Sequence, residues 1–596
     1  MPAKAAPSAV SAIALQAGSA PSPARVVGGT IGEAGSKEAL NQLSAAMSEL
    51  KALAIQPMLQ RAVDALKAND HRTGAEWAIK ALERDERSGF GWYLLGIARE
   101  RAGDFASSVT AYESALKLLP DHAEIANDLG RLAYRMGMRT QAEKLFRHFL
   151  ARHPENHEGA NNLACALRDQ ERYEEAVEVL KPAIIKSPEV AMLWNTMGTV
   201  MAEQGDFPTS EVFFREALRL DGDQARPRYN LGNARLMQGD AEEALACCEA
   251  ALAGPLPEDD RQMMRLARST ILIALGRIGE GWDEYEARLH PQFADVTHFA
   301  VKGERWEPGA DVAGKSMLVV GEQGLGDEIL FGTILPDLLE RLGPDGRLTL
   351  AVEPRLVSLF ARSLPGVRVL AHATYNVEGR TVRAVPELGD AAPDLWAPMA
   401  SLLREHRREL GAFTPRTGYL AADPERVAHW KGVLDAAGLA GPRVGLLWKS
   451  ASRAGARHRH FSPFAQWASV LAQKGVTFVN LQYGDCAEEL AWARSELGAE
   501  IWSPPGIDLK QDLDDVAALS AAMDLVLGFS NATFNIAAAC GVPAWLITTP
   551  GAWPRLGTAD RYPWYPQTRV FAPEAYGAWD GVMGEVAAAL GAFGAS

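Results

Sequence analysis

Residues 89–120 read GFGWYLLGIARERAGDFASSVTAYESALKLLP, and the pattern of this stretch returns along the chain every 34 residues. The returning positions carry, in order, a small residue, a turn residue, a large apolar residue, an alanine (with Phe149 as the exception) and a proline. They are Gly96, Gly130, Ala164, Gly198 and Gly232; Gly103, Gly137, Glu171, Gly205 and Gly239; Tyr112, Phe146, Leu180, Phe214 and Cys248; Ala115, Phe149, Ala183, Ala217 and Ala251; and Pro120, Pro154 and Pro188. A fixed period of this length predicts pairs of antiparallel helices that stack into a solenoid.

Within each unit, the small residue is expected to let two helices approach closely, and the proline is expected to end the second helix. The repeat resembles the tetratricopeptide repeat, which implies that this part of the chain holds a protein partner. We place clear units over residues 89–256, a weaker unit before them and a degenerate helical pair after them. The helical-repeat domain is therefore predicted over residues 55–290.

Size and charge limit the function classes. A chain of 596 residues should divide into several domains. A net charge of −15 argues against general nucleic-acid binding, and no apolar window is long enough for a membrane span. The five cysteines show no metal-ligand or disulfide spacing, which fits reduced thiols in a cytoplasm. Residues 1–54, which begin with an Ala-, Ser-, Pro- and Gly-rich stretch, are expected to be a flexible N-terminal segment.

After residue 290 the periodicity changes to buried strands that alternate with helices. One such pattern starts at Ser316 and a second starts at Arg443. Alternation of this kind predicts two parallel-sheet domains of the nucleotide-binding type, over residues 291–425 and 426–596, with a cleft between them. The predicted fold class is thus an α solenoid followed by α/β.

A glycine turn with two acidic residues follows the first strand of the earlier pattern. Gly324 and Gly326 lack the third glycine of a dinucleotide fingerprint, so NAD binding is not predicted. Residues 324–336 instead resemble the first loop of GT-B glycosyltransferases related to the heptosyltransferases. That resemblance implies that Asp327 is the base for the acceptor hydroxyl, with the glycines at the donor site. A carboxylate at a strand-to-helix turn can accept such a proton, but it can also simply cap the helix. Glu328 is the next candidate base.

A basic segment follows the first strand of the second pattern. Lys449, Arg453, Arg457 and Arg459 lie in one loop with two histidines, in an otherwise acidic protein. Such a loop suits a phosphate or carboxylate, and the related transferases hold the donor phosphate here. We favour Lys449 and Arg457 as donor-binding residues, then Arg453 and Arg459; the alternative is a solvated charge run.

A third segment, residues 528–535, runs from a strand end into a helix. Its small and hydroxylated residues predict an anion site at the helix N-terminus. The candidate donor-binding residues are Ser530, Asn531, Thr533 and Asn535. The heptosyltransferase-like family carries Asp at the place of Ser530 and His at the place of Asn535, so roles that need those groups are in doubt. Loss of the acid also favours a negatively charged donor.

Asparagines recur on the first helices of the repeats, at Asn161, Asn195 and Asn230. The resemblance to asparagine-bearing repeats of protein O-glycosyltransferases implies that they hold the backbone of an extended acceptor peptide. A solvent-exposed helix surface is the alternative.

Repeats followed by a GT-B-like pair resemble the O-GlcNAc transferases and the bacterial flagellin glycosyltransferases, and the latter more closely. This resemblance implies inverting, metal-independent transfer of a nonulosonic acid, such as pseudaminic acid, from a CMP donor to Ser or Thr of flagellin. Three alternatives stay open: a UDP-GlcNAc donor, transfer to a lipid-linked sugar, and an adaptor with a degenerate transferase fold.

Overall fold

The computed structural model describes residues 33–322, 324–377, 379–389, 392–439, 441–450 and 459–595. The chain forms two compact units that divide between Val200 and Met201. In the first unit the helices are α1 (Glu33–Lys67), α2 (His71–Arg84), α3 (Gly89–Arg101), α4 (Phe105–Leu118), α5 (Ala123–Arg135), α6 (Arg139–Arg152), α7 (His157–Arg168), α8 (Tyr173–Lys186) and α9 (Ala191–Gln204), the last of which contains the division. The second unit begins with α10 (Phe207–Leu220), α11 (Ala225–Met237), α12 (Ala241–Leu252), α13 (Glu258–Ala274) and α14 (Ile278–Tyr285).

Within each unit these helices form the expected antiparallel pairs, and the repeated residues explain why. A Cβ atom at Gly96 would lie 2.7 Å from the ring of Tyr112, and one at Gly130 would lie 2.7 Å from the ring of Phe146. In these two repeats the small residue of the first helix therefore gives room to the large apolar residue of the second. The turn position has a left-handed backbone throughout, even at Glu171, where φ is 61°. The helical-repeat prediction is confirmed.

The first helix is longer than its repeat requires. It starts at Glu33, so residues 33–54 are helical where the sequence suggested a flexible segment. On this stretch Met47, Leu50 and Leu53 are exposed. The N-terminal part of that segment, residues 1–32, lies outside the described residues.

A five-stranded parallel sheet follows the repeats. Its strands are β2 (Glu304–Arg305), β3 (Ser316–Val320), β4 (Arg347–Val352), β5 (Arg368–Ala371) and β8 (Leu395–Pro398), in the order β2-β8-β3-β4-β5. Helices α15 (Leu325–Phe331), α16 (Leu335–Leu342) and α17 (Val357–Ser363) connect the first strands. Helix α15 begins at Leu325, so Asp327 and Glu328 lie in its first turn.

A smaller sheet combines a strand that precedes β2 with a hairpin inserted before β8. It consists of β1 (Thr297–Ala300), β6 (Ala373–Val377) and β7 (Arg380–Ala384), and β6 and β7 form an antiparallel hairpin. This insertion was not predicted.

The last sheet has six parallel strands. They are β9 (Arg443–Leu447), β10 (Thr477–Asn480), β11 (Ile501–Trp502), β12 (Leu525–Phe529), β13 (Ala544–Ile547) and β14 (Thr568–Phe571), in the order β11-β10-β9-β12-β13-β14. Helix α18 (Leu403–His406) follows β8, and the helices that accompany the six-stranded sheet are α19 (Pro424–Ala436), α20 (Ala468–Leu471), α21 (Ala487–Leu497), α22 (Leu513–Ala521), α23 (Ala532–Ala539) and α24 (Trp579–Gly594). Two parallel α/β sheets are present, as predicted.

The largest buried cluster of the second unit spans the last repeat helices and both large sheets. It joins Trp282 of α14, Phe331 of α15, Phe534 of α23 and Trp564, which follows β13. The last repeats and the two sheets therefore pack as one body around the site described next. Among the helices that the structure describes, none is long and apolar enough to cross a membrane.

Candidate functional site

A cleft of about 600 Å³ opens in the second unit. Such a volume suits a ligand of nucleotide size. Its lining follows the carboxyl ends of strands from both large sheets: Gly324–Asp327 after β3, Arg355 after β4, Ser450 after β9, Tyr483 after β10, Ser530–Thr533 after β12 and Thr548 after β13. Ligands of open parallel sheets bind at these ends.

Asp327 lies in the first turn of α15 and lines the cleft. Its carboxylate accepts the backbone N–H of Gly324 at 3.3 Å, and the residue is half-buried. The two interpretations of Asp327 are therefore compatible, since the same carboxylate caps the helix and faces the cleft.

Glu328 has a different environment. It is 2% exposed and is absent from the cleft lining among the described residues. Its carboxylate lies 2.8 Å from Nε2 of His372 and accepts the backbone N–H of Glu353 at 2.9 Å. Glu328 therefore holds α15 against β4, and Asp327 is left as the carboxylate of this turn that faces the cleft.

The N-terminus of α23 faces the same cleft. The side chain of Asn531 caps it by accepting the N–H of Phe534 at 2.9 Å, and the side chain of Asn535 donates to the carbonyl of Gly326 at 3.2 Å. A Cβ at Gly326 would lie 3.3 Å from that amide nitrogen, so glycine allows the starts of α15 and α23 to approach closely.

Two polar atoms at this helix start have no partner within the described residues. They are Nδ2 of Asn531 and Oδ1 of Asn535, both buried, and both residues line the cleft. Ser530 is exposed beside them, while Thr533 is almost fully buried. An unpaired buried polar group is costly, which favours a ligand with complementary polar atoms at this position.

The described residues of the basic segment, Lys449 and Arg459, make contacts within the protein. The ammonium group of Lys449 pairs with Glu489, and Lys449 does not line the described part of the cleft. Arg459 donates to the carbonyl of Ala202 at 2.8 Å and pairs with Glu203 at 3.4 Å. Lys449 is thus ion-paired in this structure and its contact with a donor stays a prediction, while Arg459 holds the end of α9. Arg453 and Arg457 lie outside the described residues.

Two other cations line the cleft and were not predicted. Arg355 pairs with Glu353 at 2.8 Å and donates to the backbone carbonyl of Lys510 at 2.8 Å. Lys510 is exposed and lines the cleft, as does His460. The sequence signal for Arg355 was its place just after a buried strand, while Lys510 sits in an acidic loop that carries no strand-end signal.

The three candidate acceptor asparagines lie on first helices of the repeats, as expected. Asn161 is on α7, Asn195 on α9 and Asn230 on α11, and all three are half-buried. Asn161 accepts a hydrogen bond from the hydroxyl of Thr196 at 2.5 Å. Peptide binding by these residues stays a prediction.

The fold and the cleft define a helical-repeat protein with a pair of parallel α/β sheets and a polar site at their strand ends. Residues 59–123, 93–137, 127–191 and 195–260 match the tetratricopeptide repeat family. The chain is also 52% identical over 572 residues to Protein FlbA of Caulobacter vibrioides, covering 96% of each chain. The protein therefore belongs to the FlbA family.

Two more distant similarities concern part of the chain. Human Protein O-mannosyl-transferase TMTC1 is 29% identical over 181 residues, which is 30% of this chain and 20% of TMTC1. The crystal structure of a tetratricopeptide repeat protein from Parabacteroides merdae has a TM-score of 0.36 at 15% identity, and the match covers 39% of this chain and 91% of that one.

Proposed function

We propose that the protein is an inverting O-glycosyltransferase with a GT-B catalytic half. It would move a sugar from a nucleotide donor to Ser or Thr of an acceptor protein held by the repeats, with flagellin as the acceptor. In this proposal residues 291–425 form the acceptor half and residues 426–596 form the donor half, and the enzyme works in the cytoplasm. The part-length similarity to TMTC1 supports a link to protein glycosylation, without indicating a sugar.

The observation that carries the proposal is the convergence of two helix starts on one cleft. Asp327 at the start of α15 supplies a carboxylate, and α23 supplies an N-terminus with two unpaired amide atoms. The hydrogen bond from Asn535 to Gly326 holds these two starts together. A base beside an anion site is the arrangement that transfer from a nucleotide sugar requires.

The chemistry follows from this geometry. Asp327 accepts the proton of the acceptor hydroxyl while the hydroxyl oxygen attacks the anomeric carbon. The bond from that carbon to the phosphate oxygen breaks, and its electron pair leaves with the nucleotide. The N-terminus of α23 and the cations Arg355 and Lys510 stabilise the charge that develops on the phosphate. Protein groups, rather than a metal, play that part in this proposal.

A donor with two acidic groups fits the charges of the cleft. Ser530 stands where the heptosyltransferase-like family carries aspartate, and Lys510 lines the site besides the helix N-terminus, together with Arg355 in its pair with Glu353. A CMP-linked nonulosonic acid carries one phosphate and one carboxylate, so we favour it over UDP-GlcNAc.

Intact-mass measurement of flagellin co-expressed with and without this chain, in a host that makes the donor, tests the function. The expected result is a mass increase of one or more nonulosonic acid residues only when the chain is present. Unmodified flagellin, together with flagellin binding and no thermal shift on addition of CMP, UDP or GDP, would establish the adaptor alternative instead.

The charge at position 530 is predicted to control nucleotide affinity. Ser530→Asp places a carboxylate at the N-terminus of α23 and should weaken CMP binding about tenfold or more, because it repels the phosphate. Ser530→Asn is the matched neutral control and should bind within about threefold of the wild type. Titration calorimetry at low and high salt checks this, since screening should narrow the difference. Equal CMP affinities of the two variants would show that the phosphate does not bind at the N-terminus of α23.

A further inference from the structure

One wall of the cleft is uncharged, and the helical repeats contribute to it. It consists of Leu236 and Met237 at the end of α11, Thr270 of α13, and Gly551, Ala552, Trp553 and Pro554 in the segment after β13. We call these seven residues the repeat wall. The charged or titratable residues among the described lining, which are Asp327, Arg355, His460, Tyr483 and Lys510, all lie outside it.

Close backbone packing fixes the position of the repeat wall. A Cβ at Gly551 would lie 2.0 Å from the carbonyl oxygen of Leu236, so only glycine fits against the end of α11. A Cβ at Gly557 would lie 2.7 Å from the backbone nitrogen of Gly276, just after α13. The segment after β13 is thus seated on two helices of the repeats.

Arg555 stiffens the same segment from within. Its guanidinium donates to the carbonyls of Pro550 at 3.1 Å, Thr558 at 3.1 Å and Ala559 at 2.8 Å. An arginine that bonds three backbone carbonyls holds a loop in one conformation. The repeat wall is therefore held in one conformation before any ligand binds.

The repeat wall adjoins the helix of the candidate base. The ring of Trp553 lies 6.3 Å from that of Phe331 and 5.9 Å from that of Trp282. Phe331 follows Asp327 by four residues on α15, so the two lie on one face of the helix about one turn apart. A residue next to a hydroxyl held at Asp327 would thus reach the repeat wall.

We infer that the repeat wall selects the residues that flank the acceptor hydroxyl, and that it takes small or apolar, uncharged neighbours. A charged neighbour would have to lose water against Leu236, Met237 and Trp553 without gaining a partner, which is unfavourable. Acceptor sites are then Ser or Thr in uncharged stretches of the acceptor protein. This inference rests on the proposed function, because it assumes transfer at Asp327.

The test is a competition between two acceptors in one sample. One is flagellin, with its modified site mapped by mass spectrometry, and the other is the same flagellin with the uncharged neighbours of that site replaced by Lys. We expect the wild-type enzyme to prefer the unchanged acceptor by at least about tenfold in kcat/KM. Met237→Glu should shift that ratio by about tenfold towards the Lys-flanked acceptor, since the new carboxylate gives Lys a partner.

Met136→Glu is the matched control. Met136 follows α5 at the end of another first helix, is 43% exposed and does not line the cleft, so this variant should keep the wild-type ratio. The ratio does not depend on how much enzyme is folded, and the wild-type measurement needs no variant. A wild-type preference below twofold, or the same ratio in Met237→Glu and Met136→Glu, would overturn the inference while leaving the transferase function standing. No transfer to either acceptor by the wild type would overturn the proposed function itself.

Discussion

Asp327→Asn is expected to lower kcat for sugar transfer by about 10²- to 10⁴-fold, the usual contribution of a positioned general base. In the wild type the backbone nitrogen of Gly324 lies 3.3 Å from the carboxylate of Asp327. The asparagine keeps an oxygen that can accept this N–H, so the start of α15 should stay formed. The amide cannot take the proton of the acceptor hydroxyl. Transfer rates at saturating donor, with circular dichroism and thermal unfolding as checks on the fold, measure the effect.

Two further variants make that result specific. Asp104→Asn is the matched control, because Asp104 caps α4 by accepting the N–H of Ser107 at 3.2 Å and does not line the cleft. It should transfer at the wild-type rate. Glu328→Gln tests the rival base and should act on stability, since Glu328 is buried against His372. If the Glu328→Gln enzyme folds but does not transfer, while the Asp327→Asn enzyme is active, Glu328 rather than Asp327 is the base.

The repeats could be predicted in detail because their structure is encoded locally. The two helices of each pair lie close in sequence, so a period of 34 residues reports directly on the packing of Gly96 against Tyr112. The same holds for the turn between them, where Gly103 has a φ of 83°. Each prediction needed only neighbours within one repeat.

The sheets could be predicted only in part. Buried strands such as β3 and β9 can be recognised in the sequence as apolar runs that precede glycine-rich or basic turns. The position of β8 does not follow from its sequence, since Leu395–Pro398 is short and lies beyond an inserted hairpin, yet it sits next to β3 in the sheet. Strand order depends on contacts between distant segments, which a local pattern does not contain.

The same reasoning explains the outcome at the cleft. The position of Asp327 and Ser530 at the cleft could be predicted because the carboxyl ends of parallel strands lie at one edge of a sheet. The ion pair of Lys449 could not be predicted from the strand ends, because its partner Glu489 is 40 residues further along the chain, on α21. Met237 was hidden for another reason: at the end of a repeat helix, its contact with the cleft depends on how the segment after β13 packs.

A buried ion network anchors the turn that carries Asp327. Arg288 and Glu322 are each 3% exposed, and the guanidinium bonds the carboxylate twice, at 2.9 and 2.7 Å. Glu322 also accepts the backbone N–H of Ala400 at 2.8 Å, and Arg288 donates to the hydroxyl of Ser401 at 3.1 Å. Burial alone would lower the pKa of Arg288, but the nearby carboxylates of Glu322 and Glu286 raise it, so the arginine stays charged. The network ties the end of β3, at Glu322, to the segment of Arg288 before β1 and to the segment of Ala400 and Ser401 after β8.

Arg288→Met should therefore destabilise the second unit by about 3–5 kcal/mol, because it leaves the carboxylate of Glu322 buried without its cation. The thermal midpoint of that unit measures the effect. Arg277→Met is the matched surface control, since Arg277 pairs with Glu280 in solvent, and it should cost less than about 1 kcal/mol.

The double variant Arg288→Met/Glu322→Met separates two costs: the loss of the attraction between the two charges, and the burial of the carboxylate of Glu322 without a partner. It removes both charges, so it should recover most of the stability that the single change loses. Its transfer rate is the more telling measurement. If the pair serves only stability, a folded double variant will transfer normally; if it sets the position of the Gly324 turn, transfer will fall although the fold is restored. A single variant as stable as the wild type would mean that water reaches Glu322, contrary to its burial.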